Sequence, residues 1–280
     1  LTILIACYVI YVLYFTSITF LRYDHFYTGR FDLGNMAQTV WNTTQGRFFE
    51  MTNPNGTEAV SRLAFHADFI LALLAPFYLL WANPKMLLLI QTVVFGAGTF
   101  FVYLIAKTIV KNKNLALTLG LLFLLNPSVE RTNIYDFHAV TLATTFLLAT
   151  FYFFIKKRYG WFLLFAFLAG ICKEQIWFII GLFGPFLFFW HKKRVFGILL
   201  FFGSVALSYS LISYAIPNAL GSSQHFALEY YADLGDSPSD ILKTMLFSPD
   251  KIFSTIFQQD RLDYLKQLLS PLGYLPLIAS

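Results

Sequence analysis

Charge is what this sequence has least of. Only 12% of its 280 residues are Asp, Glu, Lys or Arg, against roughly 25% in a soluble domain. A water-soluble chain of this length could not cover its surface with so few. Cysteine is nearly absent as well. Cys7 and Cys172 stand alone in separate apolar runs, so neither a structural disulfide nor a zinc site is expected from them. The alternating segments of about ten residues that build a membrane β-barrel are missing. Internal repeats and low-complexity tracts are missing too. The opening run Leu1–Leu21 has no basic start and no small-residue cleavage site. It is expected to remain as a helix rather than be removed as a signal peptide.

What the chain has instead is 58% hydrophobic residues, with 33 Phe and 16 Tyr, in long continuous runs. The fold class that follows is an all-α polytopic membrane protein, a single transmembrane domain over residues 1–280. Both ends lie inside apolar runs, so the chain is expected to be truncated at both. The net charge of +5 is not a nucleic-acid signal, because the bases are spread over short loops. Lys107, Lys111 and Lys113, then Lys156, Lys157 and Arg158, then Lys192, Lys193 and Arg194 fill three such loops without one Asp or Glu. Short basic loops mark the cytoplasmic face.

That rule sets the parity of the runs. Met86–Ile109, Leu115–Leu125, Ala139–Ile155 and Val195–Ile216 read as membrane helices, with a further apolar run from Leu265 to Ala279. Trp161–Trp190 must then cross twice, as Trp161–Cys172 and Gln175–Trp190, with Lys173-Glu174 at the outer tip. Every carboxylate falls on the outer side. Leu63–Trp81 is left as a re-entrant or interfacial helix within an outer loop over residues 22–85. The alternative is that it spans and Leu1–Leu21 runs the other way. Residues 217–263 form a second outer loop. In the first loop Leu33, Met36, Ala37, Val40 and Trp41 recur at i, i+3, i+4, i+7 and i+8, an amphipathic helix suited to the interface. Asp32 stands where it would cap that helix, and Gly46 where it would end.

Several polar residues sit where chemistry would. Asp32 is either a helix cap or a general base or ligand at the membrane surface. Asp24 reads as a solvated interfacial charge. His66 and Asp68 open an apolar run, but residues two apart do not share a helix face, which argues against a joint metal site. Asp136 and His138 converge only if Asp136 belongs to the loop before its helix. A His beside a carboxylate is a metal ligand or a proton carrier. Lys173 and Glu174 are the most costly, since a charge left unpaired in hydrocarbon costs roughly 2.5–3.5 kcal/mol or more. They form an internal ion pair, or Lys173 holds a phosphate.

Phe31-Asp32-Leu33-Gly34, Trp41-Asn42-Thr43, Gly46-Arg47, His66, Asn126-Pro127, Asp136-Phe137-His138 and Lys173-Glu174 together resemble the membrane family DUF2079. That family in turn resembles the GT-C superfamily of glycosyltransferases, which draw on polyprenyl-phosphate-linked sugars. The resemblance implies a GT-C-like transmembrane helix bundle with interfacial helices in the first outer loop. Asp32 matches the first-loop catalytic acid, with Leu33 in place of the second acid that such loops often carry, so a divalent metal is left open. Lys173 resembles the hairpin-tip lysine that meets the donor phosphate. His66 resembles a histidine near the interfacial helix. Asp136 and His138 match the family's own motif, and with Glu174 they would line the substrate cavity. The implied activity is transfer of a sugar from a polyprenyl-phosphate donor to an acceptor on the extracytoplasmic side of the plasma membrane. The partners would be that donor, an unknown acceptor and membrane lipids, with no nucleic acid. A transporter or lipid flippase, or a non-catalytic lipid-binding relative, is the other reading.

Overall fold

The computed structural model describes residues 1–222, 226–274 and 277. It is an all-α membrane protein. Among the described residues three helices are long and apolar enough to cross a bilayer: Thr2–Asp24, Lys85–Val110 and Arg194–Leu220. The chain divides into two compact units, residues 1–220 and 221–280.

In the first unit α1 (Thr2–Asp24) is followed by α2 (Asn35–Thr44), the short strands β1 (Glu50–Thr52) and β2 (Ala59–Ser61), and α3 (Ile70–Leu80). The strands pair antiparallel, Met51 opposite Val60. This hairpin was not legible in a sequence of otherwise helical character. Then come α4 (Lys85–Gly96) and α5 (Gly98–Val110), α6 (Lys113–Leu124), α7 (Pro127–Ile134) and α8 (Ala139–Ile155). The unit closes with α9 (Tyr159–Gly170), α10 (Ile176–Gly181), α11 (Phe183–Phe189), α12 (Arg194–Ser210) and α13 (Ile216–Leu220). A π-helical segment, Leu211–Ala215, joins the last two.

One ion pair decides how residues 25–84 run. Lys85 Nζ at the start of α4 lies 2.7 Å from Asp24 Oδ1 at the end of α1, and within 6 Å of the Phe20 and Tyr23 rings. The chain therefore leaves and returns at the same end of the bundle. Asp24 is exposed, as a solvated interfacial charge would be, and holds Lys85 from there. At 1.5 Å per residue α3 is about 16 Å long, half of a bilayer core of about 30 Å. Within Leu63–Trp81 the α-helix begins only at Ile70. Residues 65–69 stay irregular, because Arg62, His66 and Asp68 are committed to side-chain contacts.

The loop before α8 and the turn after α9 return to that same end. Asp136 accepts from the Gly29 N–H, and Glu174 accepts from the Ala67 N–H. The loops at Lys157 and His191 meet each other at the other ends of their helices, where Tyr159 Oη is 3.3 Å from His191 Nδ1. The first unit thus gathers Asp24, Asp32, Asp68, Asp136 and Glu174 at one end and its basic loops at the other.

The main core joins Leu33, Met36 and Val40 of the first loop to Leu71, Leu87, Phe137, Leu142, Cys172 and Ile180. The apolar face of α2 is therefore packed against protein.

In the second unit α14 (Pro238–Phe247), α15 (Pro249–Ile256) and α16 (Gln259–Leu269) follow a 3-10 turn at Phe226–Tyr231. Ser237 caps α14 by accepting from the Asp240 N–H. The apolar run expected from Leu265 to Ala279 does not persist as one helix. It ends at Leu269, before Pro271, and residues 275, 276 and 278–280 of that run lie outside the described residues. A proline breaks the backbone ladder there.

Candidate functional site

Asp32 does not cap the amphipathic helix. It lies inside a five-residue π-helical turn, Arg30–Gly34, and the residue at the cap of α2 is Gly34. A π turn is a frequent mark of a functional position. Its effect here is to aim Asp32 sideways, and Oδ1 lies 3.0 Å from His138 Nε2. About a third of each side chain remains exposed. The expected stop at Gly46 is present, with φ +82° just beyond α2.

His138 is fixed from three directions. Its backbone N–H donates to Gln91 Oε1 at 2.9 Å. Its ring stacks on Tyr135, with centroids 5.4 Å apart. Its Nδ1 is 3.0 Å from the backbone oxygen of Asp136. A carbonyl oxygen only accepts, so Nδ1 carries a proton. Nε2 faces Asp32 Oδ1 at hydrogen-bond distance, so Asp32 and His138 form a hydrogen-bonding pair across the two elements.

Asp136 is buried beside them, in the loop that precedes α8, as convergence with His138 requires. Burial first, then the neighbouring Asp32 charge, push its carboxyl above the usual range against the pull of the Gly29 hydrogen bond, Arg22 and His138. Arg22, at the end of α1, was not singled out from the sequence because basic residues at helix ends are common. It donates to the Tyr27 carbonyl oxygen at 3.0 Å, and among the described residues its buried Nε has no hydrogen-bond partner. Gln91 was missed too. The signal available was a lone amide within the apolar run Met86–Ile109, and the structure buries it fully in α4.

A second cluster forms where the Cys172–Gln175 turn meets the first loop. His66 Nδ1 lies 3.0 Å from Glu174 Oε1, and Glu174 Oε2 accepts from Ala67 N–H at 3.0 Å. Ser208 donates to the Glu174 backbone oxygen. Burial works against the Glu174 carboxylate, but the hydrogen bond and charge of His66 and the backbone donors outweigh it. They hold it at about 2. Glu174 therefore pairs with His66 and not with its neighbour, which corrects the internal Lys173–Glu174 pair. Lys173 is half-buried. Among the described residues its ammonium has no hydrogen-bond or ion-pair partner. His66 and Asp68 take different partners, but they lie in irregular chain before α3, so helical spacing is not the reason. Asp68 takes a two-pronged guanidinium contact from Arg62, with Nη2 2.8 Å from Oδ2, both side chains buried.

The other motif residues are structural. Asn126 caps α7 with Pro127 in its first turn. Asn42 donates to the Glu50 oxygen and accepts from Arg47, tying α2 to β1. Among the described residues no group of three or more His, Cys, Asp or Glu is arranged to hold a metal ion.

A family model described as "Predicted membrane protein (DUF2079)" matches residues 22–280. The chain belongs to the DUF2079 family. Comparison with curated proteins and with solved structures gives no match. The family's description goes no further than the fold, and chemistry must be argued from the two clusters.

Proposed function

We propose that this DUF2079 protein is a multi-pass glycosyltransferase of the GT-C kind in the plasma membrane, with its polar end on the extracytoplasmic side. It would take a sugar from a polyprenyl-phosphate donor and pass it to an acceptor hydroxyl. The observation that carries this is the Asp32–His138 pair, 3.0 Å apart and partly exposed beside Asp136. A carboxylate hydrogen-bonded to an imidazole can accept a proton from a hydroxyl and relay it.

In the proposed step the acceptor oxygen forms a bond to the anomeric carbon. The bond from that carbon to the donor phosphate oxygen breaks, and its electron pair leaves with the polyprenyl phosphate. The hydroxyl proton passes to Asp32, with His138 holding the carboxylate in place. The step uses only side chains of this chain. The cations Arg22 and Lys173 suit the charge of the departing phosphate.

The test is mass spectrometry of lipid extracted from purified wild type and Asp32→Asn. The expected result is a polyprenyl-phosphate sugar retained by the variant and turned over by wild type, with transfer lowered about 10²–10⁴-fold. Bulk phospholipid alone in both samples, with unchanged thermal stability, would overturn the proposal.

A further inference from the structure

The second unit carries three consecutive helices of one design. In α14 the apolar residues Ile241, Leu242, Met245 and Leu246 recur at i, i+1, i+4 and i+5, and Asp240, Lys243 and Thr244 take the other side. In α15 Ile252, Phe253 and Ile256, continued by Phe257 just past its end, repeat that spacing against Asp250, Lys251 and Ser254. In α16 Leu262, Leu265 and Leu269 share a face, and Asp260, Asp263 and Gln267 lie opposite. Such spacing gives each helix one apolar side.

Apolar helix faces ordinarily pack inward. Of the described side chains from 239 to 269, only Thr255 is buried. Leu242 is 56% exposed, Leu246 65%, Phe253 61% and Phe257 62%. The Phe253 and Phe257 rings stack on each other, with centroids 6.3 Å apart, and remain open. Apolar surface displayed on successive elements marks a contact with another apolar medium.

Three observations name that medium. The span Arg194–Leu220 is long and apolar enough to cross a bilayer, and only residues 221–237 separate its end from α14. The helices are therefore tethered beside a membrane surface. None of them can cross it. They have 10, 8 and 11 residues, at most about 16 Å against a bilayer core of about 30 Å. Pro249 starts α15 and Pro271 follows α16, so the runs do not fuse into one long helix. Their charges also cancel. Asp240, Asp250, Asp260 and Asp263 balance Lys243, Lys251, Arg261 and Lys266. The polar sides thus have no net charge to recruit an acidic or basic protein surface, and apolar area is left to drive binding.

We infer that α14, α15 and α16 lie in the plane of the bilayer surface, each with its apolar face in the acyl layer and its charged face toward headgroups and water. The partner of the second unit is lipid. Binding of a short amphipathic helix scales with buried apolar area plus attraction to anionic lipid, and here the second contribution is absent. The inference is independent of the glycosyltransferase reading.

The experiment uses the full chain in nanodiscs, with Cys7 and Cys172 replaced by Ser and one nitroxide label per variant. Should that background fail to fold, Cys172 can stay, since its thiol is fully buried. Leu246→Cys, Phe253→Cys and Leu265→Cys place the label on the apolar faces. Lys243→Cys, Lys251→Cys and Asp263→Cys place it on the polar faces. Collision with oxygen, which concentrates in hydrocarbon, is compared with collision with a water-soluble nickel chelate. Oxygen should dominate at the three apolar positions and the chelate at the three polar ones. The pattern should be the same in phosphatidylcholine and phosphatidylglycerol, and should persist in high salt. Chelate access at both faces would show that the helices stand in water. Access by neither reagent at the apolar positions would show that protein covers them, from this chain or another. A pattern confined to anionic lipid at low salt would make charge the cause. Any of these three results would overturn the inference.

Discussion

Asp136 and Glu174 are two buried carboxyls pushed in opposite directions, and pH separates them. The Asp136 carboxyl sits above its ordinary 3.8. A raised value means that the fold favours the neutral form. Its contribution is full below 3.8 and is lost as pH rises through the raised value. Asp136→Asn keeps an acceptor for the Gly29 N–H and removes the charge. It should melt higher than wild type at pH 7 and level with it near pH 3.5. A lower melting point at pH 7 would show that the ionised carboxylate is needed for the fold. Glu174 behaves the other way, because its carboxyl is lowered from 4.5 to about 2. Its contribution is present above 4.5 and is lost as pH falls toward 2. Glu174→Gln should therefore be less stable than wild type at pH 7, with the gap closing below pH 4.5. A gap independent of pH would refute the His66 pairing as the cause. Arg62 and Asp68 form the third buried charge set, and removing one partner strands the other. Arg62→Ala should cost about 3–5 kcal/mol and loosen the segment that presents His66. A thermal melt within a degree of wild type would refute that.

At the scale of elements, α11 and α12 touch through two glycines. A Cβ on Gly197 would stand 2.5 Å from the Gly184 oxygen and 2.8 Å from the Phe188 nitrogen. Small residues let membrane helices approach until backbones meet. Gly197→Ala must push the pair apart and should cost about 1–3 kcal/mol. Gly203→Ala, in the same helix with nothing within 4 Å of its Cβ, should be neutral or gain up to about 1 kcal/mol from helix propensity. Equal melting shifts for the two variants would remove the close contact as the reason for glycine. The π turns act by another route. At Arg30–Gly34 the widened turn carries Asp32 toward His138, and a regular cap would have spent its carboxylate on the α2 backbone. Hydrophobic spacing located α2 and its stop at Gly46, but spacing reports which face is apolar. It does not report a turn widened by one residue.

The first unit as a whole is polarised. Its carboxylates gather at the end marked by the Asp24–Lys85 pair, and its basic loops at the other. If the basic end is cytoplasmic, Thr57→Cys and Glu130→Cys should react with an impermeant maleimide on intact cells, with Cys7 and Cys172 replaced by Ser. Lys157→Cys and Lys192→Cys should react only after permeabilisation. The reverse pattern would invert the proposed topology.

The sequence by itself determined the membrane class, the helices α4–α5, α8 and α12–α13, and the separation of basic from acidic loops. These depend on run length and charge, which the chain displays in order. It also placed Lys173-Glu174 at a turn between two helices, since the parity of the basic loops left no other path. Only the tertiary structure decided who pairs with whom. Glu174 reaches back 108 residues to His66, past the lysine beside it. Asp32 meets His138, and Arg62 takes Asp68. A buried charge goes to the partner that packing brings within 3 Å, and distance along the chain carries no information about that.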